Sequence, residues 1–340
     1  MDPHERHSRH RILAEIGAAG QARIEAGGAL VVGGGALGTA ICERLVRAGI
    51  GRLRVVDRDY VTESNLQRQT LFVDEDVSKR MPKAAVLAER LREIHPGVTV
   101  EGIVDDVNPE SVRPLLEGVD VVLDATDNFE TRFLVNDACL EAGLPWVYGG
   151  VVGTSGMTLT IRAEGQPCLR CLMRDLPPAG ALPTCDTTGI LNTLPWAIAA
   201  VQVTEAIKLL VDPAEARQDL LFLDLWSSTF QRVALKVDPA CPACAQRDFS
   251  FLRGEGHHAP AKLCGRDTFQ IRPPRGRLVD LAGLAASLEG HVDEIAFNGF
   301  LLAFAVESYE ITLFPDGRAL VRGAADASDA RAAYSRFVGA

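Results

Sequence analysis

Glycines and an acidic residue follow one another near the amino terminus in an order that suits nucleotide binding. Gly33, Gly35 and Gly38 in "VVGGGALG" have G-x-G-x-x-G spacing, directly after an apolar run and before a helical pattern. Glycines at this spacing let the backbone turn tightly and approach a phosphate at the positive amino end of the helix. Asp57 ends the next apolar run, where an acidic side chain can bind the ribose hydroxyls. A nucleotide site is therefore predicted, and a glycine turn without a ligand is the alternative.

Three further residues favour a triphosphate over a dinucleotide. Asn65 and Arg68 lie in "SNLQRQT", and Lys83 follows Pro82 at the predicted start of the helix "PKAAVLAERLREI". A guanidinium can bind two phosphate oxygens, an amide can donate to them, and the free amides of a helix start attract anions. Each residue alone is also explained as a solvated surface group. Their clustering behind one glycine loop predicts ATP rather than NAD.

Two acids end the apolar run in "VDVVLDATDN", namely Asp124 and Asp127. Ligands of open α/β sheets bind beyond the carboxyl ends of the strands, so a carboxylate there can hold Mg²⁺ against phosphates. Asp127 is the predicted Mg²⁺ ligand. The alternative is that Asp127 or Asn128 caps the helix that begins in "NFETRF".

Four of the eight cysteines form two C-x-x-C pairs about 70 residues apart: Cys168, Cys171, Cys241 and Cys244. Two such pairs give four thiolates, the closed tetrahedral ligand set of structural Zn²⁺. The alternative is a thioredoxin-like redox pair. A structural zinc site that stabilises the fold and takes no part in the chemistry is predicted.

Cys185 differs from the other cysteines because it lies in "RDLPPAGALPTCDTTG", a Pro- and Gly-rich stretch that predicts a long mobile loop. A thiol on such a loop can reach a partner and form a thioester or persulfide, although an idle loop cysteine explains it as well. Cys264, at the start of the C-terminal part, is a weaker candidate for the same role.

The segments that position these residues alternate between strand-like and helical from Ala29 onward. Such alternation predicts crossover units and a mainly parallel sheet, an α/β Rossmann-like nucleotide-binding fold with zinc knuckles. The predicted organisation is a helical arm (1–27), an ATP-binding domain with the four-cysteine zinc site (28–250), a Gly- and His-rich linker (251–260) and a small α+β domain (261–340). The last domain is expected to recruit a partner and to add nothing to the chemistry; a merely stabilising extension is the alternative.

Composition limits the partners and the location. The formal net charge of −10 and the pI of about 5.3 give no general attraction to nucleic acid or to anionic membranes. No apolar run approaches the roughly 18 to 20 residues that span a bilayer, residues 192–211 are interpreted as a buried helix, and the first residues are too polar for a signal sequence. A cytoplasmic protein with a protein or small-molecule partner is expected.

In combination, these motifs resemble those of the ThiF/MoeB/HesA-type adenylyltransferases, relatives of the ubiquitin-activating enzymes. The motifs that carry the resemblance are "RHSRH", "VVGGGALG", "VVDRDYVTESNLQRQTLF", "MPK", "DATDN", "PCLRC" and "CPAC". The resemblance covers about residues 6–250. It implies ATP-dependent adenylation of the C-terminal glycine of a small ubiquitin-like sulfur carrier ending in Gly-Gly. The pathway that the carrier serves stays open.

The resemblance also implies roles for single residues. Asn65, Arg68 and Lys83 would bind ATP phosphates, Asp57 and Asp59 the ribose and groups near the metal, and Asp127 Mg²⁺. Arg9 would reach the ATP of a neighbouring subunit, which requires a homodimer. Cys185 matches a cysteine that in some members becomes linked to the carrier.

Two other functions share part of this pattern. A NAD(P)-dependent oxidoreductase would use the glycine loop and Asp57 but leaves Asn65, Arg68 and Lys83 unexplained. A non-catalytic scaffold would dock the ubiquitin-like partner without consuming ATP. The C-terminal part lacks the cysteine loop of a rhodanese-like sulfurtransferase, so a separate sulfur donor or a conjugating partner is expected.

Overall fold

A computed structural model of the 340-residue chain describes residues 5–162, 167–178, 181–255, 268–273 and 278–339. The chain divides into two compact units. The first takes in the residues up to 78 and those from 82 to 257, and the second takes in residues 79–81 and the part from residue 258 onward. The predicted linker is described only over residues 251–255, and Cys264 lies outside the described residues.

A sheet of eight strands forms the centre of the first unit, in the order β3-β2-β1-β4-β5-β6-β7-β8. Its strands are β1 Gly28–Val32, β2 Arg52–Val56, β3 Thr99–Ile103, β4 Val121–Asp124, β5 Trp146–Val152, β6 Ser155–Ile161, β7 Leu220–Asp224 and β8 Thr229–Val233. The first five strands in this order, β3-β2-β1-β4-β5, pair in parallel. The remaining pairings, along β5-β6-β7-β8, are antiparallel. The predicted mainly parallel α/β class is confirmed, whereas β7 and β8 had not been predicted.

The helices of the first unit connect these strands. They are α1 Ser8–Arg11, α2 Gly17–Ala26, α3 Ala36–Ala48, α4 Asp74–Ser78, α5 Lys83–Ile94, α6 Val112–Leu115, α7 Phe129–Ala142, α8 Leu169–Leu172, α9 Cys185–Thr188 and α10 Leu194–Val211. All five residues of β1 are buried, as expected for an apolar strand covered on both faces. Because β1 runs straight into α3, the glycine loop between them lies at the carboxyl edge of the parallel strands.

Helix α10 corrects one expectation, because by length and composition alone it is apolar enough to cross a membrane. In the fold it packs against α3, β4, β5 and β6. It also buries two polar side chains: Gln202 donates to the carbonyl oxygens of Asp124 (2.8 Å) and Val147 (3.1 Å), and Glu205 accepts from Thr160 (3.3 Å). Its apolar character is therefore explained by burial inside the unit, as the sequence predicted for residues 192–211.

The second unit is a five-stranded antiparallel sheet with two helices, which confirms the predicted α+β character. The sheet has the order β10-β11-β12-β13-β9. Its elements are β9 Thr268–Ile271, α11 Leu281–Leu288, β10 Glu294–Phe297, β11 Leu302–Val306, β12 Tyr309–Leu313, β13 Ala319–Arg322 and α12 Ala327–Phe337. In the sequence the turns Asn298-Gly299 and Pro315-Asp316-Gly317 indicate the antiparallel meander, and Asp326 or Ser328 is the expected cap of the last helix; the structure has the meander from β10 to β13 and the cap at Asp326. Strand β9 was not predicted.

Candidate functional site

The glycine loop is built as its spacing predicted. Gly33 has φ of +100°, a backbone conformation that favours glycine. A Cβ atom on Gly38 would lie 2.0 Å from the carbonyl oxygen of Gly33, so the first turn of α3 packs directly on the loop. A Cβ on Gly35 would have 3.8 Å to Gln69 as its nearest neighbour, which leaves open space above that residue. The loop therefore offers an accessible backbone at the start of a 13-residue helix.

Asp57 follows β2 and ties the glycine loop to the next strand. Its Oδ2 accepts from the backbone N–H of Gly34 (2.6 Å), and its Oδ1 accepts from that of Asp59 (2.7 Å). Burial raises the pKa of Asp57, Lys83 opposes that rise, and the neighbouring Asp59 adds to it. One carboxylate is thus held beside the loop, next to a buried cation.

Lys83 is that cation, and it is the first residue of α5. Its side chain is buried, with Nζ 3.3 Å from Oδ2 of Asp59, and its backbone N–H donates to the carbonyl oxygen of Asp59 (2.9 Å). A buried ammonium is costly unless it is paired, so the structure gives Lys83 a carboxylate partner that a phosphate can supplement. The structure therefore brings together Asp57, Asp59, Lys83 and the glycine loop.

Asn65 and Arg68 lie in and after a short 3₁₀ turn, Glu63–Asn65. The Asn65 side chain is buried and its Oδ1 accepts from the N–H of Thr62 (3.2 Å), which leaves its amide nitrogen as the group that can donate to a ligand. Arg68 is half-buried, and its Nη1 donates to the carbonyl oxygen of Ser64 (2.8 Å). In this structure Arg68 is thus folded onto its own turn.

The two acids after β4 have different environments. Asp124 is fully buried: its Oδ2 lies 3.1 Å from Nε of Arg132, and its Oδ1 accepts from the N–H (2.9 Å) and hydroxyl (2.7 Å) of Thr126. Asp127 is exposed, and the cap of α7 is Asn128, whose Oδ1 accepts from the N–H of Thr131 (2.9 Å). Asp124 is therefore structural, whereas Asp127 is not needed for capping.

Three residues near this site had not been singled out from the sequence. Arg58 pairs with Asp106 at 3.2 Å, and the negative charges of Asp106, Asp59, Asp127 and Asp57 raise its pKa despite its burial, which alone would lower it. Arg132 also donates to the carbonyl oxygen of Thr126 (2.6 Å), and Gln69 is buried beside Gly35. Arg58 and Gln69 lie inside the motifs "VVDRD" and "NLQRQ", from which only the neighbouring residues were predicted to bind the nucleotide.

Arg9 is exposed on α1, away from the contacts described above. The helix is held to α2 by its histidines: Nδ1 of His7 lies 3.1 Å from Glu25, and Nδ1 of His10 lies 3.1 Å from Gln21. Both histidines therefore fasten the arm to α2.

The four paired cysteines come together as predicted. The Sγ atoms of Cys168, Cys171, Cys241 and Cys244 all lie within 4.8 Å of one another. Sγ of Cys168 is 3.6 Å from that of Cys241, and Sγ of Cys171 is 3.4 Å from that of Cys244. None of them is in a disulfide. Four thiols at these separations fit one tetrahedral Zn²⁺.

Cys185 is not in a featureless loop. It begins the single helical turn α9, which Thr184 caps, and its Sγ lies 3.5 Å from the carbonyl oxygen of Val151 at the end of β5. The side chain is half-buried. Where the sequence predicts a loop, the structure thus gives Cys185 one helical turn, capped by Thr184 and lying beside β5.

The parallel sheet and the glycine loop with Asp57 and Lys83 are typical of nucleotide-binding α/β proteins, and the four-cysteine cluster is suited to a metal ion. The sequence profile of the ThiF family matches residues 7–243. The chain belongs to the ThiF family.

Known relatives match most of the chain. The sulfur carrier protein ThiS adenylyltransferase of Bacillus subtilis is 44% identical over 337 residues, which is 98% of this chain and 99% of that protein. The SAMP-activating enzyme E1 of Haloferax volcanii is 42% identical over 243 residues, 71% of this chain and 89% of that protein. A crystal structure of E. coli MccB with AMPCPP and MccA has a TM-score of 0.61 at 20% identity over 71% of this chain and 75% of that one, a likeness of fold alone.

Proposed function

We propose that the protein is an adenylyltransferase that activates the carboxyl terminus of a small ubiquitin-like sulfur carrier. The observation that carries this proposal is the 44% identity to the ThiS adenylyltransferase over 98% of the chain. The glycine loop, Asp57 and Lys83 support it as the site for ATP. Neither a dehydrogenase nor a silent scaffold needs a buried lysine beside a glycine loop.

In the proposed reaction a terminal carboxylate oxygen of the carrier attacks the α-phosphorus of ATP. A new C–O–P bond forms, the bond from the α-phosphorus to the bridging oxygen breaks, and pyrophosphate leaves with that electron pair. No general base is needed because the carboxylate is ionised at neutral pH. The protein contributes positioning and charge stabilisation.

Each predicted site residue has a part in this proposal. Lys83 and the glycine loop bind phosphates, Asn65 donates through its amide nitrogen, and Asp57 binds the ribose beside Asp59. Arg68 must turn from Ser64 to reach a phosphate.

Asp127 would hold Mg²⁺, a fit supported by its exposed carboxylate at the edge where Asn128 takes the capping role. Mg²⁺ bound there would neutralise phosphate charge.

The proposal extends to partners and location. Arg9 would serve the ATP site of the other subunit in a homodimer, and its exposed position is compatible with that role. The Cys185 thiolate would attack the acyl-adenylate to form a thioester with release of AMP, or it would accept a sulfane sulfur from the persulfide of a separate donor, which is left as a thiol. The four-cysteine centre would hold Zn²⁺, and a cytoplasmic location would keep these thiols reduced.

Exchange of labelled pyrophosphate into ATP tests the proposed function. Exchange should depend on a carrier ending in Gly-Gly, and Asp127→Ala should reduce it at least a hundredfold because the metal loses its ligand. Glu117→Ala, at an exposed acid outside the site, is the control and should exchange normally. Absence of carrier-dependent exchange in the wild type, or tight binding of NAD in place of ATP, would refute the proposal.

A further inference from the structure

Residues 79–81 are the only part of the chain before residue 258 that groups with the second unit. They lie between α4, which ends at Ser78, and α5, which begins with Lys83. A change in the conformation of this segment would therefore occur two residues before Lys83, the buried lysine of the candidate ATP site. Three contacts within the second unit fix the segment.

Asn298, in the turn after β10, makes two of these contacts. Its Nδ2 donates to the carbonyl oxygens of Lys79 (2.9 Å) and Arg80 (3.1 Å). Its Oδ1 accepts from the N–H groups of Phe300 and Leu301, each at 3.0 Å. The two ends of the Asn298 amide therefore have different roles. The oxygen stabilises the turn that contains Asn298, and the nitrogen binds the segment 79–81.

Glu310 on β12 makes the third contact. Its Oε1 lies 2.7 Å from Nη1 of Arg80, and its Oε2 lies 3.5 Å from Nη1 of Arg322. The ion pair between Arg80 and Glu310 is half-buried, so its charge alone adds little stability. Its contribution is to fix the position of the Arg80 side chain.

Arg80 itself has φ of +49°, the left-handed region that a residue with a side chain rarely adopts. Such a conformation persists only where the surroundings hold it. Here two donated hydrogen bonds and an ion pair hold it. The chain then continues through Met81 and Pro82 to Lys83, the first residue of α5.

We propose that Asn298 and Glu310 are positioning residues that place Lys83 for phosphate binding through the segment 79–81. The inference rests on the proposed ATP site and gives the C-terminal unit a part in adenylation. It departs from the expectation, drawn from the sequence, that this unit adds nothing to the chemistry. Neither residue touches ATP; both act through the backbone that leads to Lys83.

Asn298→Asp is the sharpest variant because it keeps the shape and the acceptor of the turn. Its carboxylate still accepts from Phe300 and Leu301, but it cannot donate to Lys79 and Arg80 and faces their carbonyl oxygens. We expect the KM for ATP to rise about tenfold, with the KM for the carrier unchanged and the melting temperature close to that of the wild type. Glu310→Gln should act in the same direction and more weakly.

Two controls separate positioning from a general loss of structure. Arg322→Ala removes the other partner of Glu310 and should leave the KM for ATP unchanged. In a Lys83→Ala background, Asn298→Asp should weaken ATP binding no further, measured by calorimetry, because the positioned group is gone.

Full additivity of Asn298→Asp and Lys83→Ala, or an ATP KM in Asn298→Asp equal to that of Arg322→Ala, would overturn the inference. A wild type without carrier-dependent exchange would instead refute the proposed function, so the two failures are distinguishable.

Discussion

Gly38 leaves no room for a side chain, because its Cβ would meet the carbonyl oxygen of Gly33 at 2.0 Å. We expect Gly38→Ala to lower the free energy of unfolding by about 2 kcal/mol or more, since backbone must move to admit the methyl group. Gly35→Ala is the matched variant, with 3.8 Å to its nearest neighbour. It should keep the stability and lose ATP affinity.

Urea unfolding and ATP titration of both variants check this prediction. An equal loss of stability in the two variants would contradict the packing argument. Unchanged ATP affinity in Gly35→Ala would remove that residue from the phosphate site.

The four-cysteine centre gives a second prediction at the residue scale. Metal analysis should find about one zinc per chain, and Cys168→Ser should lower both the zinc content and the melting temperature because the ligand set is broken. Cys139→Ala is the control, since Cys139 is equally buried but is not one of the four clustered metal-ligand candidates in the described residues. A Cys168→Ser protein with full zinc would show that the centre is not the binding site.

At the scale of elements, the arm that carries Arg9 has a pH-sensitive attachment. The rings of His7 and His95 lie 5.4 Å apart, with Glu25 bonded to His7 and Arg6 bonded to the carbonyl oxygen of Ile94. Burial lowers the pKa of His95 below its usual 6.5, and the charges of Arg6 and His7 lower it further, while Glu25 opposes them weakly. Folding therefore favours neutral His95.

The sign of the pH effect follows from that lowered pKa. Below pH 6.5, His95 binds more protons when the arm is detached and unfolded than when it is attached. The attachment therefore loses stability as the pH falls. The protection factors of residues 5–13 against hydrogen exchange, corrected for the intrinsic exchange rate at each pH, should fall between pH 7.5 and pH 5.5. His95→Asn should flatten that dependence, and a profile equally steep in this variant would assign it to another group.

The elements also differ in how far the sequence could reveal them. The crossover from β1 to α3 was predictable because an apolar strand, a glycine turn and a helical period follow one another. Strand β8 was not, since four of its five residues are exposed and give no alternation. A glycine such as Gly20 favours a break in a helix, but α2 continues through it, and a Cβ there would lie 2.9 Å from a side-chain carbon of Val211. Close packing, invisible in the sequence, requires that glycine.

In the candidate site, residue types predicted the groups but not their partners. Asp124 and Asp127 look alike in "DATDN", yet only the fold places Arg132 against Asp124 and leaves Asp127 exposed. The segment 79–81 had no signal at all, because the residues that hold it come more than 200 positions later. Such long-range contacts depend on the tertiary fold and cannot be derived from a local pattern.

At the scale of the whole molecule, the proposed homodimer makes one site depend on two chains. If Arg9 serves the neighbouring subunit, a hybrid of an Arg9→Ala chain and an Asp127→Ala chain has one site with both groups intact. Random exchange at equal amounts makes about half of the dimers hybrid, each with one active site of two, so about a quarter of wild-type exchange should return. Different affinity tags on the two chains verify that hybrids form.

A second mixture supplies the matched control. Lys83→Ala and Asp127→Ala both damage the site of their own chain, because Lys83 and Asp127 belong to the same nucleotide-binding unit. Their hybrids have one defect in each site and should recover nothing. Lys83→Ala mixed with Arg9→Ala should recover activity as the first pair does. Only an arginine that acts across the dimer can be supplied by the partner chain. If hybrids form and none of the three mixtures recovers activity, Arg9 therefore acts in the site of its own subunit or lies outside the site.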